Sequence, residues 1–176
     1  MLRPIRDYNA TVGLESDSIE NYREFYPELF RDSPDVNRTN IGAAVDLVLL
    51  LKMIGQESAY LALAEASLDL MVSMPRVALN GIGLLDVELY AILGDRNAAI
   101  AALSAANDSG LIFFVDPERH YPNLANIVDD LEYQRLIGLI QDRVSAELRK
   151  IREMENAGRL ARTPEELPNI VFDLSL

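Results

Sequence analysis

The residues best suited to chemistry gather around the only histidine, His120, which has Asp116, Glu118, Asp129 and Asp130 close by in sequence. An imidazole among carboxylates is the raw material of a divalent-metal site or of acid–base catalysis. The segment that carries it, "DPERHYP", is bounded by prolines and reads as a surface loop. A metal site needs a fixed number of ligands in a fixed geometry, and one imidazole among loose carboxylates does not provide that. Asp129, Asp130 and Glu132 stand where a helix should begin, and acids there complement the positive end of the helix dipole. Their spacing therefore has a structural explanation. "GIGLLD" at 81–86 opens like a dinucleotide loop but lacks the third glycine and follows no clear strand. There is no nucleophile elbow, phosphate-binding P-loop or HExxH run. The absence of cysteine removes thiolate catalysis, disulfides and thiolate zinc sites. The expectation is a non-catalytic protein with no metal and no cofactor; the catalytic alternative is an enzyme using the acidic cluster Asp116–Asp130.

The elements that must position any site belong to a chain of 176 residues, of which 49% are hydrophobic and 25% charged. That is globular composition with enough apolar surface for one core. The net charge of −12 argues against nucleic acid or an anionic membrane as a partner and is compatible with a basic one. "AAVDLVLLLKMIG" is too short to cross a bilayer and is interrupted by Asp46 and Lys52, so membrane insertion is not expected. "MLRPIRDYNA" has no apolar signal core and does not read as a complete natural start, so the sequence could be an excised domain. A cytoplasmic setting fits, as does a periplasmic one if the chain is part of a membrane-anchored regulator.

Residues 1–16, with Pro4 and Gly13, read as an irregular lead-in. Asp17 and Glu20 have capping-box spacing ahead of "IENYREFYPELF", which Pro27 should break. A helix over 41–54 is apolar nearly all round and therefore buried on most sides, with Asn40 or Thr39 as its cap and Gly55 as its end. "QESAYLALAEASLDLMVSM" forms the next, stopped by Pro75. Helices over 84–93 and 97–107 are closed by Gly94 and Gly110. "LIFFVDPERHYPN" is a buried continuation or loop. A long helix over 132–157 carries the stripe Leu136, Ile140, Val144, Leu148, Ile151 and Met154. All-α is the class this periodicity supports, with the domain over 17–157 and a tail over 158–176.

"LYAILGDRNAAIAALSAA" resembles the second half of the first helix and the whole second helix of a tetratricopeptide (TPR) repeat. Tyr90, Gly94, Ala99, Leu103 and Ala106 stand at that family's aromatic, glycine, small, large and small positions. Gly83, Val87 and Leu111 depart from its Trp, Gly and Pro. The earlier unit over 43–67 keeps Gly55 but has Leu51 for the aromatic. Gly94 follows Gly55 by 39 residues, against a usual period of about 34. In wider order the chain is similar to the C-terminal TPR-like region of large bacterial regulatory proteins, with Phe113/Phe114, Asp116/Pro117 and Asp129/Asp130/Tyr133 at its closing landmarks. The resemblance implies stacked antiparallel hairpins, a degenerate α-solenoid fragment, with a long C-terminal capping helix. It also implies binding without catalysis.

In such a stack the first helix of each hairpin lines the concave face. That offset assigns Val45, Leu49, Lys52 and Met53, then Leu84, Glu88 and Ile92, to a groove. The set is too apolar for a carboxylate clamp, and an apolar groove must be covered. The cover could be the helix bearing Tyr22, Phe25 and Tyr26, or the tail "NIVFDLSL" in cis or from another chain, or the face is simply core. The expected partner is a protein or peptide, with homodimerisation through 136–176 as one form of it. A small-molecule sensor with a pocket beneath Phe113, Phe114 and Tyr121 is the alternative.

Overall fold

The computed structural model describes residues 2–76, 81–111 and 121–159. Among these residues there are seven α-helices and no strand: α1 (Arg3–Val12), α2 (Glu15–Phe25), α3 (Ile41–Met53), α4 (Glu57–Val72), α5 (Leu85–Leu93), α6 (Arg96–Asp108) and α7 (Leu131–Asn156). Two short 3-10 turns, Pro27–Phe30 and Pro122–Leu124, join them.

The centre is α3. Its all-round apolarity has the consequence expected of it: Ala44, Val45, Leu47, Val48 and Leu50 are fully buried, because α2, α4 and α5 all pack against it. α4 returns along α3 after Gly55, and α6 returns along α5 after Gly94. Both glycines are left-handed, at φ 74° and 87°, the conformation that ends a helix in a tight turn. The side chain of Asp95 then caps α6 by accepting a hydrogen bond from the Ala98 N–H at 2.9 Å. Ala99, Leu103 and Ala106 are all buried, the small residues admitting a close approach of α5 and the leucine filling the space between.

α5 joins two halves of the core. Leu89 and Ile92 belong to the cluster built on α3 and α4, while Val87 and Ala91 belong to the one closed by α6 and α7. Tyr133, Leu136, Ile137 and Ile140 bury the first part of α7. The same stripe then emerges, leaving Leu148 and Ile151 about half exposed at 48% and 45%. Arg143 holds the departure point by donating to the Asn107 and Leu111 carbonyls at the end of α6, at 3.1 and 3.2 Å.

The N-terminal region departs from the expected irregular lead-in over 1–16. Pro4 sits in the first turn of α1, where its missing N–H costs nothing, and Gly13, left-handed at φ 75°, closes it. Leu14 occupies the position before α2, so the helix starts at Glu15 and Asp17 does not cap it. Pro27 does end α2, as its ring requires.

Candidate functional site

Asp46 is the one charge on the inward side of α3, and it is 3% exposed. An isolated carboxylate there would be strongly disfavoured unless paired and hydrogen-bonded. Its partners come from three other elements. From α1, Arg6 donates to Oδ1 at 2.6 Å and Arg3 donates through Nε to Oδ2 at 3.1 Å. From α2, the Tyr22 hydroxyl donates to Oδ2 at 3.0 Å. From the 3-10 turn at Pro122–Leu124, Asn123 donates to Oδ1 at 3.2 Å.

Glu88 on α5 completes the arrangement. Both its oxygens receive the two terminal nitrogens of Arg3, at 3.0 and 2.8 Å, a fork-to-fork pairing. Asn123 ties the two carboxylates together, donating to Glu88 Oε2 at 2.7 Å and accepting from Arg6 at 2.8 Å. Arg6 also pairs with its neighbour Asp7 and is 2% exposed, so the guanidinium lies fully inside the protein. No buried side-chain polar atom lacks a partner among the described residues. The result is a seat of two carboxylates and a carboxamide on α3, α5 and the Pro122–Leu124 turn, filled by two arginines of α1. Desolvation lowers the Arg3 value, yet Glu88 and Asp46 outweigh it and hold the guanidinium above its ordinary range. Burial and Asp46 likewise push the Tyr22 phenol far up. A cleft of about 330 Å³ bordered by Leu2, Arg3, Tyr26, Gly42 and Leu85 opens beside the network. Arg3, 33% exposed, meets solvent there.

The groove residues expected from sequence separate into two kinds. Val45, Leu84 and Ile92 are buried in the core, and Leu49 is partly so. Met53 is exposed. Lys52 reaches the Ile92 carbonyl near the end of α5, bracing α3 against α5. Glu88 alone joins the charged seat. Arg3, Arg6, Asp46 and Asn123 were not among the expected binding residues. The signal for Asp46 was a lone acid inside an apolar helix, and for the arginines it was their i, i+3 spacing.

The acidic candidates at the start of α7 are engaged in structure. Asp130 caps α7, accepting from the Glu132 and Tyr133 N–H groups at 2.8 and 3.2 Å, and pairs with Arg96. Asp129 is exposed. Among the described residues no group of three His, Asp or Glu side chains is arranged to hold a metal ion, and no helix is long and apolar enough to cross a membrane. Asp86 in "GIGLLD" is paired with Arg76. His120, Asp116, Glu118, Phe113, Phe114 and the tail "NIVFDLSL" lie outside the described residues. Tyr121 is half-buried against the second core cluster. No protein-family profile, curated protein or solved structure matches the chain.

Proposed function

We propose that this chain is a non-catalytic protein-interaction module in which α3–α4 and α5–α6 are degenerate TPR-like hairpins and α7 is the capping helix. The pairing of α3 with α4 and α5 with α6, with α5 packed on both α3 and α4, supports that reading. So do the left-handed glycines that close α3 and α5. Its place at the C-terminal end of a bacterial regulatory protein rests on the sequence resemblance alone.

One observation carries the functional reading. The face shared by α3 and α5 already receives a separate helix, and does so through charged side chains that enter it from outside the two hairpins. A face with a buried and a partly buried carboxylate aimed at incoming guanidinium groups suits side-chain recognition. Panning the full chain against displayed helical peptides tests this. The expected result is an enriched family whose binding shifts the backbone amide resonances of α3 and α5. Failure to enrich any family, or shifts confined to other surfaces, would refute it.

A further inference from the structure

We infer that α1 is an intramolecular stand-in for a partner, and that the seat of Asp46, Glu88 and Asn123 takes a helix presenting two arginines at i, i+3 spacing. This rests on the proposed reading of the α3–α5 face as an interaction surface and names the chemistry of its occupant.

The seat selects guanidinium geometry. Glu88 receives both terminal nitrogens of Arg3 in parallel, while Asp46 takes Arg6 on one oxygen and the Arg3 Nε on the other. Asn123 reads the second arginine and fixes both carboxylates. A lysine, with a single compact ammonium, cannot reproduce the fork. Without α1, the two carboxylates would stand within reach of one guanidinium with no cation between them among the described residues, so the empty seat is poised to recapture one.

The second line is independent of the seat. α1 is amphipathic in the wrong sense for a helix held by apolar burial. Arg6 and Asn9 face inward, 2% and 8% exposed, whereas Ile5, Tyr8 and Val12 face solvent at 48%, 65% and 50%. Its inward polar contacts are the arginine pairs and a bond from Asn9 to the Ser18 hydroxyl at 3.0 Å. A helix docked by charge gives up little hydrophobic free energy on leaving, which places it at the low-stability end of the fold. Arg3, which borders the open cleft, is the contact that solvent or a competitor reaches first. Because α1 is tethered through Gly13 and Leu14, a competitor must offer the same chemistry to displace it.

The test uses the full chain, wild type and Arg3→Gln, with a labelled peptide of the sequence 2–14 read by fluorescence anisotropy. Arg3→Gln leaves the buried Arg6–Asp46 pair in place, and circular dichroism verifies its fold. Weakening the resident helix raises the open fraction, so the peptide should bind Arg3→Gln about tenfold more tightly than wild type. A peptide with glutamine at both arginine positions should not bind, and a double-lysine peptide should bind more weakly. Hydrogen exchange on the wild type supplies a readout that no variant can spoil: α1 amides should exchange by local opening, well before those of α3. The inference is overturned if α1 exchanges only together with α3, if folded Arg3→Gln binds no tighter than wild type, or if the glutamine peptide binds equally. A dimer by light scattering that exchanges α1 between copies would make the occupant a second copy and overturn the separate partner. Arginine-free peptides that engage α3 and α5 would sink this inference and leave the module standing; if no peptide engages that face, both fall.

Discussion

Replacing Asp46 by leucine removes the acceptor at the centre of the network while keeping the same branched shape and number of heavy atoms. Arg6 would then remain 2% exposed with only Asp7 and Asn123 to answer it. The Tyr22 hydroxyl, also buried, would lose its acceptor. Arg3 would keep Glu88. Breaking a buried pair from one side costs about 3–5 kcal/mol, because the buried Arg6 cation loses its deepest counter-charge and keeps only the more exposed Asp7. Against a total stability of about 5–15 kcal/mol, that is a large share. With a urea slope of about 2 kcal/mol per molar, the unfolding midpoint followed by circular dichroism should fall by about 2 M. Adding Arg6→Met removes the stranded cation, and the double variant should recover at least about 2 kcal/mol relative to the sum of the two single changes. If Asp46→Leu is too unstable to measure, Asp46→Asn keeps one acceptor oxygen and should cost about 1.5–3 kcal/mol. An Asp46→Leu protein within about 1 kcal/mol of wild type would refute the reasoning, as would single changes that add without coupling.

Tyr22, with its phenol pushed far up by burial and Asp46, and Tyr133, pushed up to about 12 by burial, should keep their protons while unfolded tyrosines ionise near pH ~10. Above that pH the unfolded state binds fewer protons than the native one, so stability must fall as pH rises. Ultraviolet absorbance titration should show two of the seven tyrosines ionising only on unfolding; all seven ionising in the native protein would contradict the burial. On the acid side, the Asn40 side chain holds Glu28 below its ordinary range. Partial desolvation raises Asp130, but the Tyr133 N–H, Arg96 and the Glu132 N–H outweigh it and leave its value depressed. These contributions are present above the unfolded carboxylate value near ~4 and are lost as pH falls through the lower folded values. Asp130→Asn should therefore flatten the acid limb of the Tm profile, and an unchanged limb would count against the cap. Gly94→Ala should destabilise by about 1–2 kcal/mol, purely through its backbone, because φ is 87° and an added Cβ meets nothing within 4 Å. Gly138→Ala, inside α7 and equally unobstructed, should stabilise by about 0.5–1 kcal/mol, so opposite signs in denaturant melts are expected.

The helices α3 to α7 were legible because each carries a period and a stop that act locally. Gly55, Gly94 and the alanines of α6 specify turns and close packing without reference to distant residues. α1 was not legible, because Pro4 and Gly13 look the same in a loop as at the two ends of a short helix. Its apolar residues, moreover, mark the face that is left largely exposed. The charged seat was hidden for a related reason. Asp46 could be recognised as an anomaly within "AAVDLVLLL", but its partners lie 40, 43 and 77 positions away, on elements whose arrangement only folding supplies. Of the residues the groove offset picked out, Glu88 joins the charged seat, whereas Val45 and Ile92 are core beneath the packing of α5 on α3.

That closure bears on why the seat is charged. A buried ion network contributes little net stability, since the desolvation of its members nearly offsets their attraction. An α1 with leucines in place of Arg3 and Arg6 could hold to an apolar α3–α5 face at least as firmly. It would also hold without discrimination, because apolar burial is non-directional and any amphipathic helix would serve. Forked pairs to Glu88 and a second arginine on Asp46 instead demand two guanidinium groups at one helical spacing. What the charges contribute, then, is selectivity among helices: a mismatched helix leaves a buried carboxylate unpaired. The outward apolar stripe of α1 fits the same account, because a helix anchored by its polar face need not bury its apolar one to stay in place.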